Sequence, residues 1–172
     1  MNSLADAYLD HILIYLKSNE RGSPPLRMFL DNWFAYSHQG PFLSPNGNPV
    51  WFNNPDPSKS KVREALLSMH YVSKGAIDVI NGDSDDKLVK EHSVPISILK
   101  DILYSKMPKN KSTLNNLLLT YYRLGVLTKT EDNLLKTNGL NSKMPKNWNS
   151  TMNVFARYEQ CGIIKVGGVI ND

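Results

Sequence analysis

The sequence predicts an α+β fold, mostly helical, with a small antiparallel hairpin. Apolar residues recur at helical spacing through several segments, extended runs are short and few, and clusters of Gly, Pro and Asn separate them. At 172 residues, 41% hydrophobic and 21% charged, the chain has the composition of a folded protein, with one compact domain or a core with an appended helical part. We expect a helical part over residues 1–75 and an α+β part over 76–172 that carries the functional residues, the two packing as one unit.

Each element has a local reason. Ser3 with Asp6 resembles a capping box, and Leu4, Tyr8, Leu9, Ile12, Leu13 and Leu16 form the apolar stripe of a first helix ending near Ser18. Ser23-Pro24-Pro25 starts a second, with Leu26, Phe29, Leu30, Trp33 and Phe34 on one face and Gly40 at its close. Residues 41–60, rich in Pro and Asn, read as a loop, with Trp51 and Phe52 pinning it to the core; exposed, the same pair would stack on bases. Ser58 or Ser60 caps a third helix reaching about Tyr71. "GAIDVI" reads as a short strand, Asn81-Gly82 as a tight hairpin turn, and "KLVKEHSVP" as the return strand. Helical spacing resumes over Ile96 to Leu103 and Thr113 to Tyr122. "GVLTKT" reads as a strand or wing, "TEDNLL" opens another helix, and a last helix near Thr151 to Gln160 precedes the apolar tail "GIIKVGGVI".

Composition excludes several classes. The single cysteine, Cys161, allows no intramolecular disulfide and no multi-cysteine zinc knuckle, and it reads as a small buried residue. No run approaches ~20 apolar residues, and the stretch "YLDHILIYL" is interrupted by Asp10 and His11 with no basic segment before it, so neither a membrane span nor a signal peptide is expected. A soluble cytoplasmic protein is the expectation, with its oligomeric state open. There is no phosphate loop, dinucleotide fingerprint or nucleophile elbow. His11, His38 and His70 have no ligand-spaced partner and read as packed or surface residues. Asp83, Asp85 and Asp86 read as a solvated turn, because the calcium-loop pattern and its terminal glutamate are missing.

Charge is unevenly distributed. The chain carries a net +4, yet between Ser105 and Lys146 the eight basic residues Lys106, Lys109, Lys111, Arg123, Lys129, Lys136, Lys143 and Lys146 face only Glu131 and Asp132. Such segregation suits a phosphate-facing surface, where basic groups release condensed counterions. Lys106, Lys109, Lys111, Arg123, Lys143 and Lys146 are the expected contacts to DNA, or to RNA. Within this stretch "SKMPKN" occurs twice, at 105–110 and 142–147. Two copies without matching intervening sequence do not make a repeat array. Each reads as a helix end broken by proline, with a Ser-Thr pair capping the next helix, and the two supply similar phosphate contacts.

One short stretch points to chemistry. Phosphodiester hydrolysis needs a base to activate water and a cation to neutralise the charge developing on phosphate. In "EHSVP", Glu91 suits a hard divalent ion and His92 suits a base. On a regular strand the two side chains would point to opposite faces, whereas a turn at the strand end, helped by Pro95, would let them converge. "EHSVP" resembles the first motif of the HNH, or ββα-metal, nucleases, and "LTKTEDNLLKTNGLNSKMPKNW" resembles the helical part that follows the second strand in divergent members; together the likeness spans about residues 85–147. The resemblance implies a magnesium- or manganese-dependent DNA endonuclease with His92 as general base and Glu91 as metal ligand. It also implies an asparagine that orients the histidine and a helix residue that completes the metal site. No histidine follows His92, so the family's final histidine has no match; Asn133, with Asn138 and Asn141 as alternatives, and Glu131 and Asp132 are the substitutes. The alternative is a non-catalytic winged-helix-like DNA-binding module, with "STLNNLLLTYYRLGVLTKTED" as helix and basic wing. A protein-interaction or toxin-neutralising role is a third possibility, neither favoured nor excluded by the charge.

Overall fold

Helical spacing in the sequence becomes helix over most of the chain, and the result is an α+β fold with a small mixed sheet. The computed structural model describes residues 3–18, 23–50 and 55–168, with backbone only at 23 and 24. The elements are α1 (Ser3–Lys17), α2 (Ser23–His38), a 3-10 turn (Gly40–Phe42), α3 (Ser60–Leu67), β1 (Tyr71–Ser73), α4 (Lys74–Asn81), β2 (Leu88–His92), α5 (Ile96–Lys106), α6 (Lys111–Tyr121), β3 (Leu124–Thr128), α7 (Lys129–Thr137), α8 (Ala156–Gln160) and β4 (Lys165–Gly167). Among the described residues no helix is long and apolar enough to cross a membrane. The expectation for Trp51 and Phe52 falls outside the described residues.

The chain divides into two units, and each is interleaved in sequence. One comprises Met1–Trp51 and Ile96–Tyr122, the other Phe52–Pro95 and Arg123–Asp172. The first unit is helical. Leu9, Ile12 and Leu16 of α1, Leu26, Leu30, Trp33 and Phe34 of α2, Leu99 and Leu103 of α5, and Leu114 and Leu118 of α6 are all buried. Polar contacts join its helices as well. The Trp33 indole N–H donates to Asn115 (3.3 Å), and the buried Tyr122 hydroxyl donates to the Asp31 carboxylate. Burial, then the charge on Asp31, pushes the Tyr122 phenol well above its ordinary range.

The second unit holds the sheet, in the order β2-β3-β1-β4. β1 and β3 run parallel, while β2 on β3 and β4 on β1 are antiparallel. A buried cluster of Tyr71, Leu127, Leu135, Leu140, Tyr158 and Ile163 packs on it. Burial, followed by the charges on Glu159 and Glu131, raises the Tyr71 phenol to about 12. Its hydroxyl donates to the Ile163 carbonyl at 2.7 Å.

Several expectations are corrected here. "GAIDVI" is helix, not strand: Ser73 caps α4 by accepting from the Ala76 N–H, and the left-handed Gly82 (φ 85) ends it. Asn81-Gly82 is therefore a helix terminus rather than a hairpin turn, and β2 pairs with β3 instead of with residues 76–80. The third helix starts after Lys59, with no side-chain cap, and stops at Leu67, leaving Tyr71 to β1. The last helix is only Ala156–Gln160. At the first "SKMPKN", Asn110 caps α6 rather than the Ser-Thr pair, and the second copy lies between α7 and α8 without bordering either helix. "LGVLT" is β3, a fully buried strand between β2 and β1, in agreement with the strand reading of "GVLTKT".

Because the space around an added Gly82 Cβ is open, a side chain there costs only the left-handed backbone. Gly82→Ala should lower stability by about 1 kcal/mol and Gly82→Asn by less, read as shifts in urea midpoint at constant slope.

Candidate functional site

The residues singled out around "EHSVP" all lie in the second unit, and its sheet decides their placement. β2 pairs regularly with β3 through its last residue: Glu91 faces Gly125 and His92 faces Leu124. A regular register sends adjacent side chains to opposite faces, so the structure does not bring Glu91 and His92 together. His92 is buried, with 5% of its surface exposed. Asn133 is exposed on α7 and its carbonyl accepts from the Thr137 hydroxyl.

Glu91 has a partner the sequence reading missed. Arg157 on α8 is completely buried, and it holds Glu91 in an ion pair. The same guanidinium donates to the Ser93 carbonyl (2.9 Å), the Leu140 carbonyl (2.7 Å), the Asn141 carbonyl (3.4 Å) and the His92 carbonyl. With Glu91 these acceptors occupy every N–H that an arginine possesses. A buried guanidinium without such partners would cost several kcal/mol, which is why the acceptors converge on it. The only local signal was an arginine beside Phe155 and Tyr158 on a short helix; nothing in the sequence points from it to Glu91, 66 positions away.

The two acidic residues of α7 also have structural partners. Thr128 and Glu131 form a reciprocal capping box at its start. Glu131 accepts from the Thr128 N–H (2.8 Å) and from the Ser73 hydroxyl (2.5 Å), and Ser73 is itself the cap of α4. One carboxylate thus joins the first turns of two helices that follow the parallel strands β1 and β3. Gly75 makes this possible, since a Cβ there would lie 3.0 Å from Glu131 Oε1.

Asp132 is buried and bridges Lys129 (2.6 Å) and Lys136 (2.8 Å). Burial alone raises its carboxyl, but the hydrogen bonds and charges of the two lysines outweigh that and hold it below the ordinary range. Lys129 is raised in turn, chiefly by Asp132, with Glu91 adding a smaller attraction.

A divalent cation therefore meets a donor set that does not fit it. Glu91 is neutralised by Arg157, Asp132 by two lysines, and Glu131 is engaged by two helix caps. Among the described residues no group of three His, Cys, Asp or Glu side chains could hold a metal ion.

The basic residues separate into two kinds. Lys111 is held by Asp6 (2.5 Å) and Asp10 (2.8 Å), and Lys129 and Lys136 by Asp132. Arg123 is half-buried, and its carbonyl accepts from the Ser93 N–H. Lys106, Lys109, Lys143 and Lys146 are exposed, and no carboxylate among the described residues pairs with them. These four are the lysines of the two "SKMPKN" copies. One copy belongs to each unit.

The three carboxylates yield two stability predictions. Glu91→Gln should leave Arg157 buried without a counter-charge and lower stability by about 3 kcal/mol in chelator-containing, metal-free buffer. If Glu91 served instead as a metal ligand, the same change would leave the metal-free protein as stable as the parent. Asp132→Asn should cost about 1 kcal/mol at pH 7. Because the folded carboxyl titrates below its unfolded value, that contribution is complete above about pH 4 and is lost as pH falls through the folded value, so the variant should show a flatter acid limb in denaturation midpoints measured from pH 7 to 2. No family model, no curated protein and no solved structure matches the chain.

Proposed function

We propose that this protein binds nucleic acid through two exposed basic turns, one in each unit. The supporting observation is the sorting of its cations. Lysines elsewhere in the basic stretch are matched by carboxylates, while the four in the duplicated "SKMPKN" turns carry exposed charge without a protein partner. Neutralised lysines release few counterions on meeting a polyanion, whereas unpaired exposed ones do so at nearly full strength. The turns are defined structures. Asn110 caps α6 directly after the first, and each copy contains or adjoins a left-handed residue, Met107 (φ 40) in the first and Asn147 (φ 70) in the second. Contacts of this sort position a backbone and carry no base sequence.

A second reading is divalent-metal-dependent DNA cleavage, favoured by the order of elements. β2 and β3 are antiparallel and α7 follows at once, which is the ββα order that the "EHSVP" resemblance implies, with α5 and α6 inserted between the strands. The engaged carboxylates weigh against it, so binding without hydrolysis is the primary reading.

Affinity for a DNA fragment should fall steeply with salt. Changing Lys106, Lys109, Lys143 and Lys146 together to Gln should reduce the log–log salt slope by about 3–4, whereas Lys111→Gln should leave it unchanged. Equal slopes for parent and quadruple variant would overturn the proposal. Plasmid nicking with magnesium or manganese on the same preparations decides the second reading: cleavage lost in a folded His92→Ala protein that still binds DNA would establish it.

A further inference from the structure

We infer that the second basic turn takes single-stranded nucleic acid, with Trp148 as a stacking platform for a base between or beside the phosphates held by Lys143 and Lys146. The inference rests on the nucleic-acid reading above and names the form of strand recognised. Trp148 lies two residues beyond Lys146 and is half-buried, in a turn that borders no helix. Its indole N–H donates to the Asn153 carbonyl at 2.9 Å, and its backbone N–H donates to the Pro145 carbonyl at 3.0 Å. The Trp148 backbone is thereby tied to the turn that carries both lysines, and its ring to the segment that follows.

Side-chain amides fix the rest of the segment. Asn149 accepts from the Thr151 N–H (3.0 Å) and hydroxyl (2.6 Å). Asn153 accepts from the Phe155 N–H (2.9 Å) and donates to Glu159 (2.5 Å). A platform built in this way loses little conformational freedom when a base stacks on it.

Two features favour a single strand over a duplex. Base faces are hidden inside a duplex, so an aromatic ring beside phosphate-binding lysines gains a stacking partner only from an unpaired strand. Reading a duplex groove instead calls for a helix or ribbon with available basic side chains. In this unit the α7 lysines, Lys129 and Lys136, are clamped on Asp132, Lys74 of α4 is paired with Asp78, the Arg63 guanidinium of α3 is engaged by the Ile80 carbonyl and Asn81, and Lys61 of α3 is half-buried.

The test measures binding of a twelve-nucleotide oligothymidylate and of a duplex of the same length, by anisotropy at low salt, for the parent, Trp148→Leu and Trp148→Phe. Leucine keeps apolar packing but has no stacking face, and phenylalanine keeps both; matched melting temperatures confirm that each variant is folded. Trp148→Leu should weaken oligothymidylate binding about tenfold or more, Trp148→Phe by less than about threefold, and duplex binding should not change. Indistinguishable affinities for the leucine and phenylalanine variants would overturn the inference and leave the lysine turns as the binding surface. A duplex bound more tightly than the single strand would do the same. Failure of the parent to bind either nucleic acid at low salt would overturn both this inference and the reading beneath it.

Discussion

The Arg157 guanidinium is the constraint on which the sheet-bearing unit depends. It is completely buried, and it gathers Glu91, the carbonyls of His92 and Ser93 at the end of β2, and the carbonyls of Leu140 and Asn141 after α7. A charge so placed is tolerated only when each donor is met, so the end of β2, the segment after α7, and α8 must take up one arrangement together. The neighbouring aromatic packing follows the same arrangement. Tyr158, next in sequence, packs edge-on to Tyr71 (4.8 Å) and lies over Gly125, the residue opposite Glu91, where a Cβ would come within 3.3 Å of its hydroxyl. A glycine in the middle of a buried strand, ordinarily unfavourable, is explained by that close approach.

Glu131 has a comparable place at the other end of the sheet. β1 and β3 are parallel, so α4 and α7 both begin near the same edge, and each presents unsatisfied N–H groups there. In open sheets with parallel strands, this is the region where a bound anion is often found. Here the protein's own carboxylate meets the caps of both helices, through the Ser73 hydroxyl and the Thr128 N–H. Acidic residues near "EHSVP" are thus used for internal neutralisation. The exposed lysines of the two "SKMPKN" copies lie elsewhere, at the end of α5 and in the turns that follow α5 and α7, and that sorting separates a scaffold built on ion pairs from a surface suited to a polyanion.

Much of the helical framework was legible. α1, α2, α5 and α6 coincide closely with the periodic segments, because each has an apolar face that local spacing alone displays, and α7 begins where "TEDNLL" opens a helix. "GAIDVI" failed for an identifiable reason. A short apolar run is compatible with strand or helix, and the decision came from Ser73 and Gly82 acting as caps at its two ends, features that also read as strand and turn residues. The pairing of β2 was illegible because its partner β3 lies beyond two helices of the other unit, and no local pattern encodes so distant a neighbour.

Local pattern is enough to give the α+β class, the helices with one apolar face, and the concentration of positive charge between Ser105 and Lys146, since composition and periodicity are local properties. Tertiary structure alone decided which charges remain available. Glu91, Glu131 and Asp132 looked like ligands in the sequence and became partners of Arg157, of two helix caps and of two lysines. Lys106, Lys109, Lys143 and Lys146 looked like the other basic residues of that stretch and became exposed side chains with no carboxylate partner among the described residues. Whether a charge acts on the protein or on a partner depends on which opposite charge lies within a few ångströms, and folding sets that distance between residues far apart in the chain.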